Sequence, residues 1–306
     1  MSDEADSTAA PAHDTLTQDS WPAKPNALIV GPMKAGTSWL YEYLKSRNDV
    51  SVPTGTKETF FFDDRFESKG VDWYLKHFQN AGGPNVTTII EVAPTYFHGA
   101  ELPRRVLETL GKIKIVVTLR DPAKRAFSLF QHMRRYGYTK ATDFRQAVQN
   151  HPEMLASSRY AECLERWREV MGPENVSVLF MEDLAAEPLN FAADCCHALY
   201  IAPPESAAQL PSKVNVASQP RNYYVALAGR LVGDALRSIR LYAVVDMAKR
   251  AGLKRLFFGK PQVHRQSITP EERSWFIDQI ADDIRHLETI LNRDFSDWIH
   301  TDGDGH

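Results

Sequence analysis

Ala27-Leu28-Ile29-Val30-Gly31-Pro32-Met33-Lys34-Ala35-Gly36-Thr37-Ser38 is the stretch on which the fold turns. Its first four residues are an unbroken apolar run, the pattern of a parallel strand buried on both faces. From Thr37 to Arg47 the pattern becomes helical, with Trp39, Leu40, Tyr43 and Leu44 on one face. A glycine-bearing loop joins the two. A loop that leaves a strand and enters a helix N-terminus offers backbone N–H groups and the positive end of the helix dipole to an anion. The plainer reading is a glycine turn with no ligand. Against the nucleotide-triphosphate spacing G-x-x-x-x-G-K-[ST], Gly31, Gly36 and Ser38 fit, but the lysine slot holds Thr37. The lysine of the loop, Lys34, comes three residues earlier.

Further strands follow outward from this unit. Val50-Ser51-Val52 predicts a short one, Thr88-Ile89-Ile90 begins another, Ile113 to Leu119 is the clearest, and Val176 to Phe180 follows a Gly-Pro turn. Asp121-Pro122 opens a helix with Asp as N-cap and Pro in the first turn. Pro270-Glu271-Glu272 starts a final helix over 270–292. Strands alternating with helices predict a single α/β domain over residues 21–300. Its core is a P-loop-like parallel sheet of about five strands with helices on both faces. Residues 1–20 are acidic and polar without Lys or Arg, and are expected to be a disordered tail. Residues 202–222 read as a loop. Residues 221–260 are basic and partly amphipathic, with Arg237, Arg240, Lys249, Arg250, Lys254 and Arg255. They read either as solvated helix faces or as an insert or lid that meets a membrane surface or an anionic acceptor.

Composition narrows the function classes. The 306 residues carry 36 Lys and Arg against 39 Asp and Glu, a net charge of −3, so no global basic field points to nucleic acid. No apolar run approaches a membrane span, and no signal peptide is visible, which suggests a cytoplasmic protein. The sequons at Asn85 and Asn175 are then chance. Cys163, Cys195 and Cys196 lack metal-finger or redox spacing and read as reduced, partly buried thiols.

The segment Arg120-Asp121-Pro122-Ala123-Lys124-Arg125-Ala126-Phe127-Ser128 carries the second half of the argument. It places Arg120 at a strand's carboxyl end, where open α/β sheets bind ligands, and Ser128 about two turns into the next helix. An Arg fork with a hydroxyl suits a terminal phosphate. Arg125 reads as an exposed helix residue or as part of the same motif. A kinase needs a carboxylate for Mg²⁺ at such a strand end, and here Asp121 is committed to capping.

The two segments together resemble the 5′-phosphosulfate loop and the 3′-phosphate motif of sulfotransferases that use 3′-phosphoadenosine-5′-phosphosulfate (PAPS). The resemblance runs from about Ala27 to Trp298, is densest up to Tyr136, and lies nearest the heparan-sulfate-type and bacterial carbohydrate or small-molecule enzymes. It implies PAPS as co-substrate, 3′-phosphoadenosine-5′-phosphate (PAP) as product, and no required metal. Lys34, Ala35, Gly36, Thr37 and Ser38 would hold the 5′-phosphosulfate, and Arg120 and Ser128 the 3′-phosphate. Arg221, in Asn215-Val216-Ala217-Ser218-Gln219-Pro220-Arg221, resembles a later donor-contacting region of bacterial members.

Transfer to a hydroxyl or amine calls for a base. Lys57-Glu58-Thr59-Phe60-Phe61-Phe62-Asp63 offers a carboxylate beside a cation and an aromatic run. Apolar neighbours raise a carboxylate pKa and an adjacent ammonium lowers it, and the sequence does not rank the two. The segment is similar to the heparan-type one in which Glu is the base, and Gly70-Val71-Asp72-Trp73-Tyr74 also resembles that branch. Glu58 is therefore the expected base; His98 or His132 could stand in for the histidine of another branch, though neither lies in a segment that matches it, and the remaining alternative is Glu58 as a structural ion-pair partner. Glu91-Val92-Ala93-Pro94-Thr95-Tyr96-Phe97 resembles the family's Glu-Lys-x-Pro-x-Tyr-Phe, with Val92 in place of the lysine and Lys57 as the substitute charge. Lys57, Glu91, Trp73, Tyr96 and His132 are the candidate acceptor contacts, with a structural role open for Glu91 and core packing the plainer reading for most of the aromatics. The acceptor is a carbohydrate by resemblance, with a small-molecule hydroxyl equally open on the residues. Two rivals stand beside this: a P-loop kinase using ATP·Mg, and a non-catalytic nucleotide-binding protein on the same fold.

Overall fold

The computed structural model describes residues 24–211 and 267–300, with the backbone of two short antiparallel strands between them, Gln219–Pro220 and Phe258–Gly259. The expected tail over 1–20, Arg221, and the basic segment 221–260 apart from Phe258–Gly259 lie outside the described residues.

The apolar runs form one sheet. Strands β1 (Ala27–Gly31), β2 (Val50–Ser51), β3 (Thr88–Val92), β4 (Lys114–Leu119) and β5 (Val176–Phe180) lie in the order β2-β3-β1-β4-β5. Every neighbouring pair is parallel. Because successive side chains alternate faces, β1 feeds two cores. Leu28 and Val30 join Ile115, Val117, Phe61, Tyr74 and Trp167 on one face. Ala27 and Ile29 join Leu40, Leu44, Val116, Phe191, Cys195 and Cys196 on the other. Burying each large apolar side chain contributes about 1.5–3 kcal/mol, so a strand apolar at every position is stable only with both faces covered. All three cysteines are free thiols and buried, as their sequence context implied.

Twelve helices among the described residues cover the sheet and its edges. They are α1 (Thr37–Lys45), α2 (Val71–Leu75), α3 (Leu102–Leu110), α4 (Pro122–Arg135), α5 (Phe144–Asn150), α6 (Glu153–Ala156), α7 (Tyr160–Met171), α8 (Met181–Ala186) and α9 (Pro188–Ala198). After the segment outside the described residues come α10 (Pro270–Asp278), α11 (Ala281–Leu291) and α12 (Ser296–Ile299). Helix α1 stops two residues before the expected Arg47, whose guanidinium instead pairs with Asp49 at 2.6 Å. Asp121 caps α4 as expected, its Oδ1 accepting from the Lys124 N–H at 2.9 Å.

The single helix expected over 270–292 is two helices. Ile280 leaves helical angles (φ −134°, ψ 7°) and is buried, and the bend lets α10 pack on α4 while α11 packs on α7. A straight helix could not reach both. Thr269 and Glu272 form a capping box at the start of α10, a signal present in the sequence beside the noted Pro270. Arg273 on α10 then clasps Asp121 at 2.8 Å, fastening this C-terminal unit to the start of α4. Among the described residues no helix is long and apolar enough to cross a membrane.

Candidate active site

Strand β1 is flanked by β3 on one side and β4 on the other, so the chain's path diverges from it in both directions. In open α/β sheets the crevice at the carboxyl ends of such strands is the ligand site. A cleft of 1910 Å³ opens there, lined by Lys34, Gly36, Thr37, Ser38, Lys57, Glu58, Arg120, Ser128 and His132, among others. Tertiary structure thus brings together nine of the residues that sequence assigned to donor, base and acceptor.

The phosphate loop is shaped from both ends. Gly31 has φ +100°, and a Cβ there would sit 2.4 Å from the Pro94 carbonyl oxygen, so only glycine lets β1 close against the turn after β3. Lys34 and Gly36 are also left-handed, at φ 73° and 90°. Two arginines pull the loop's carbonyls back: Arg125 Nη1 donates to Met33 O at 3.3 Å and Arg120 Nη1 to Lys34 O at 3.2 Å. No side chain caps α1; the Trp39 N–H bonds the Gly36 carbonyl at 2.9 Å, which leaves the Thr37 and Ser38 N–H groups ahead of it for a ligand. Ala35 is fully buried and contributes backbone alone.

The cleft is electropositive. Burial, then the charges of Arg135, Arg120 and Lys57, pull the Lys34 ammonium down to about 8. Among the described residues no carboxylate lies within ion-pair distance of Lys34 to offset that repulsion. An anion bound among these cations would relieve it. His132 is lowered as well, to about 4, by burial and by Lys34 and Arg135. His98 is also lowered, first by burial and then by Arg125.

Opposite the loop, Glu58 is half-buried and ion-paired with Lys57 at 2.9 Å. Its carbonyl accepts from Thr56 Oγ1 at 2.8 Å. Lys57 thus serves Glu58 first.

Three expected acceptor contacts are corrected. Glu91 and Tyr96 are fully buried and do not line the cleft. Glu91 sits mid-sheet opposite Leu28, and its Oε1 accepts from the Thr59 N–H at 2.6 Å. Burial pushes that carboxyl up to about 7. Trp73 packs instead against His77 (ring centroids 4.5 Å apart) and the Arg65 guanidinium, outside the cleft wall. Arg125 is likewise fully buried rather than on an exposed helix face. Sequence reading missed Thr56, Glu153 and Ser157, which reach the cleft. Glu153 and Ser157 arrive because α6 and the turn after it pack on α4, and nothing local in the sequence signals it.

Comparison with known proteins bears on the family and the fold. The family described as "Sulfotransferase domain" matches residues 24–212. A bifunctional heparan sulfate N-deacetylase/N-sulfotransferase 1 of Xenopus laevis is 30% identical over 203 residues, covering 59% of this chain and 23% of that protein. The Homo sapiens protein of that name is 31% identical over 203 residues, covering 58% and 23%. The chain therefore spans about a quarter of the length of the curated relatives it matches. A crystal structure of a sulfotransferase from Alicyclobacillus acidocaldarius superposes with a TM-score of 0.63 at 22% identity, over 91% of this chain and all of that one, a likeness of fold. The match begins at the first described residue, spans all five strands and includes both the phosphate loop and the Arg120–Ser128 segment, and on it the chain belongs to the sulfotransferase domain family.

Proposed function

We propose that the protein transfers the sulfuryl group of PAPS to a hydroxyl or amine of an acceptor, with Glu58 as general base. The observation that carries the reading is the cluster of Lys34, Arg120, Arg135 and Lys57 around one cleft at the mouth of a helix N-terminus, a setting matched to a ligand with several negative charges. When bound, PAPS supplies the sulfuryl group. Lys34, the loop and the α1 N-terminus hold its 5′-phosphosulfate end, while Arg120 and Ser128 hold the 3′-phosphate. Glu58 takes the acceptor's proton as the acceptor lone pair bonds to sulfur. Lys34 and the loop amides take up the charge left on the 5′-phosphate oxygen, with its electron pair, as the sulfur–oxygen bond breaks. His132, held at about 4, is a weak proton acceptor near neutral pH, which favours Glu58 over it. The names of the relatives favour an amino or hydroxyl sugar as acceptor.

Calorimetry with PAP, with and without Mg²⁺, against ATP·Mg tests the donor. Tight, metal-independent binding of PAP with weak ATP binding supports the reading, and preference for ATP·Mg overturns it in favour of a kinase. Radiolabelled PAPS is then offered to a panel of N-desulfated heparin, chitosan oligosaccharides, p-nitrophenol and simple alcohols. Donor binding without transfer to any of them would favour a non-catalytic role.

Two further results are expected. Arg120→Ala should weaken PAP by about 1.5–3 kcal/mol, the worth of a charge-assisted hydrogen bond, and adenosine 5′-phosphosulfate much less. Equal losses would detach Arg120 from the 3′-phosphate. Lys34 must be protonated to hold an anion and titrates at about 8 in the free protein. PAP affinity should therefore be full below pH 8 and fall by up to about tenfold per pH unit above it, with proton uptake on binding near pH 8. A flat profile from pH 7 to 9.5 would remove Lys34 from the donor site.

A further inference from the structure

The loop that bears Glu58 has an unusual local structure. Phe60 sits in the left-handed region (φ 53°, ψ 33°), which a bulky aromatic rarely adopts, and a single π turn, Phe61–Arg65, follows at once. Such a conformation persists only where its surroundings over-determine it. Here two buried side chains do so. Glu91 Oε1 accepts from the Thr59 N–H at 2.6 Å, and the Tyr96 hydroxyl accepts from the Phe61 N–H at 2.9 Å and from the Phe62 N–H at 3.4 Å. The two groups are themselves joined, Tyr96 Oη donating to Glu91 Oε1 at 3.5 Å. Thr59 Oγ1 lies 3.3 Å from the same hydroxyl. Three backbone donors within four residues of Glu58 are thus held by a carboxylate on β3 and a phenol in the turn after it. That turn is also where Gly31, at the start of the phosphate loop, makes its closest approach.

We infer that Glu91 and Tyr96 are positioning residues, a buried clamp that holds the strained Glu58 loop in register with the phosphate loop so that base and donor meet the acceptor together. The inference rests on Glu58 being the base. The clamp touches neither donor nor acceptor, so it acts on turnover through Glu58 and leaves donor binding alone. Its placement makes physical sense. Strands β1 and β3 pair inside the sheet, neither at an edge, and both loops are braced on them. A displacement of about 1 Å of a catalytic group costs up to about 100-fold in rate.

The test is a double-mutant cycle on transfer from labelled PAPS to the best acceptor of the panel above, with PAP affinity measured in parallel. Tyr96→Phe keeps the ring and removes the hydroxyl, and Glu91→Gln keeps shape and an acceptor oxygen, so a folded variant is available if one fails. Each is expected to lower kcat about 10–100-fold with KM for PAPS and PAP affinity unchanged. In a Glu58→Gln background the same change should lower the residual rate no further, because the clamp then positions nothing. If Glu58→Gln is inactive but the clamp variants keep wild-type kcat, or lower the rate equally in both backgrounds, the clamp is merely structural and the inference fails while the base stands. If Glu58→Gln itself turns over normally, the base assignment falls, and the clamp inference with it.

Discussion

Glu58→Gln is expected to lower kcat by about 10²–10⁴-fold, the range over which a positioned base accelerates proton transfer. Glutamine matches the volume of glutamate and cannot take a proton. Glu58 is half-buried and, among the described residues, its carboxylate is ion-paired with Lys57, so the substitution removes one ion pair at the cleft wall and leaves the core intact. Donor binding is expected to be unchanged. Lys34, Arg120 and Ser128 sit on the loop after β1, at the end of β4 and on α4, and none is joined to Glu58 by a hydrogen bond or ion pair among the described residues. Steady-state transfer together with PAP calorimetry separates the two quantities. Normal turnover would hand the base role to His98 or His132, both of which line the same cleft.

Arg125→Ala carries the second largest effect, and here it is on stability. The guanidinium is fully buried and donates to the carbonyls of Met33 and Met154 and to the hydroxyls of Ser157 and Ser158, at 3.3, 3.0, 3.0 and 2.5 Å. Removing it takes a charged donor from four acceptors, of which the Met154 carbonyl keeps the Ser158 hydroxyl at 2.8 Å, and leaves a cavity between α4, α6 and the phosphate loop. Hydrogen bonds to a charged group are worth about 1.5–3 kcal/mol each, so a loss of at least about 3 kcal/mol is expected. Against a total stability of about 5–15 kcal/mol for a domain, that is a large shift in denaturation midpoint. Arg125→Lys should recover only part, since one ammonium cannot span four acceptors on three segments. Donor affinity should fall as well, because the Met33 carbonyl is freed at the base of the phosphate loop. A loss within about 0.5 kcal/mol, ordinary for a surface site, would place Arg125 on the exposed face that its sequence position suggests.

The contrast between Glu58 and Arg125 shows how differently the two kinds of information reach a residue. The phosphate loop was legible because its determinants are consecutive: an apolar run, two glycines and a helix start within twelve residues. The strands were legible because a sheet covered on both faces demands unbroken apolar runs, and β5 falls on the expected residues. The same local logic found the Asp121 cap and the cationic end of β4. It could not see that Glu91 and Tyr96 lie beneath the cleft. A polar residue within a strand has the same local pattern whether its side chain meets a ligand or a loop's backbone N–H, and only the β1–β3 register and the folding of the Glu58 loop over it decide which. Nor could it see the bend at Ile280, since an amphipathic pattern continues across a break when both halves face apolar partners. The sequence by itself determined the sheet, the glycine loop between β1 and α1 and the chemical types gathered around it, because these follow from backbone periodicity and residues close together in the chain. Tertiary structure alone decided that Arg125 is a buried brace, that Trp73 does not line the cleft and that Lys34 sits beside Arg135, Arg120 and Lys57. Those facts depend on groups tens of residues apart that become neighbours only when the helices close over the sheet.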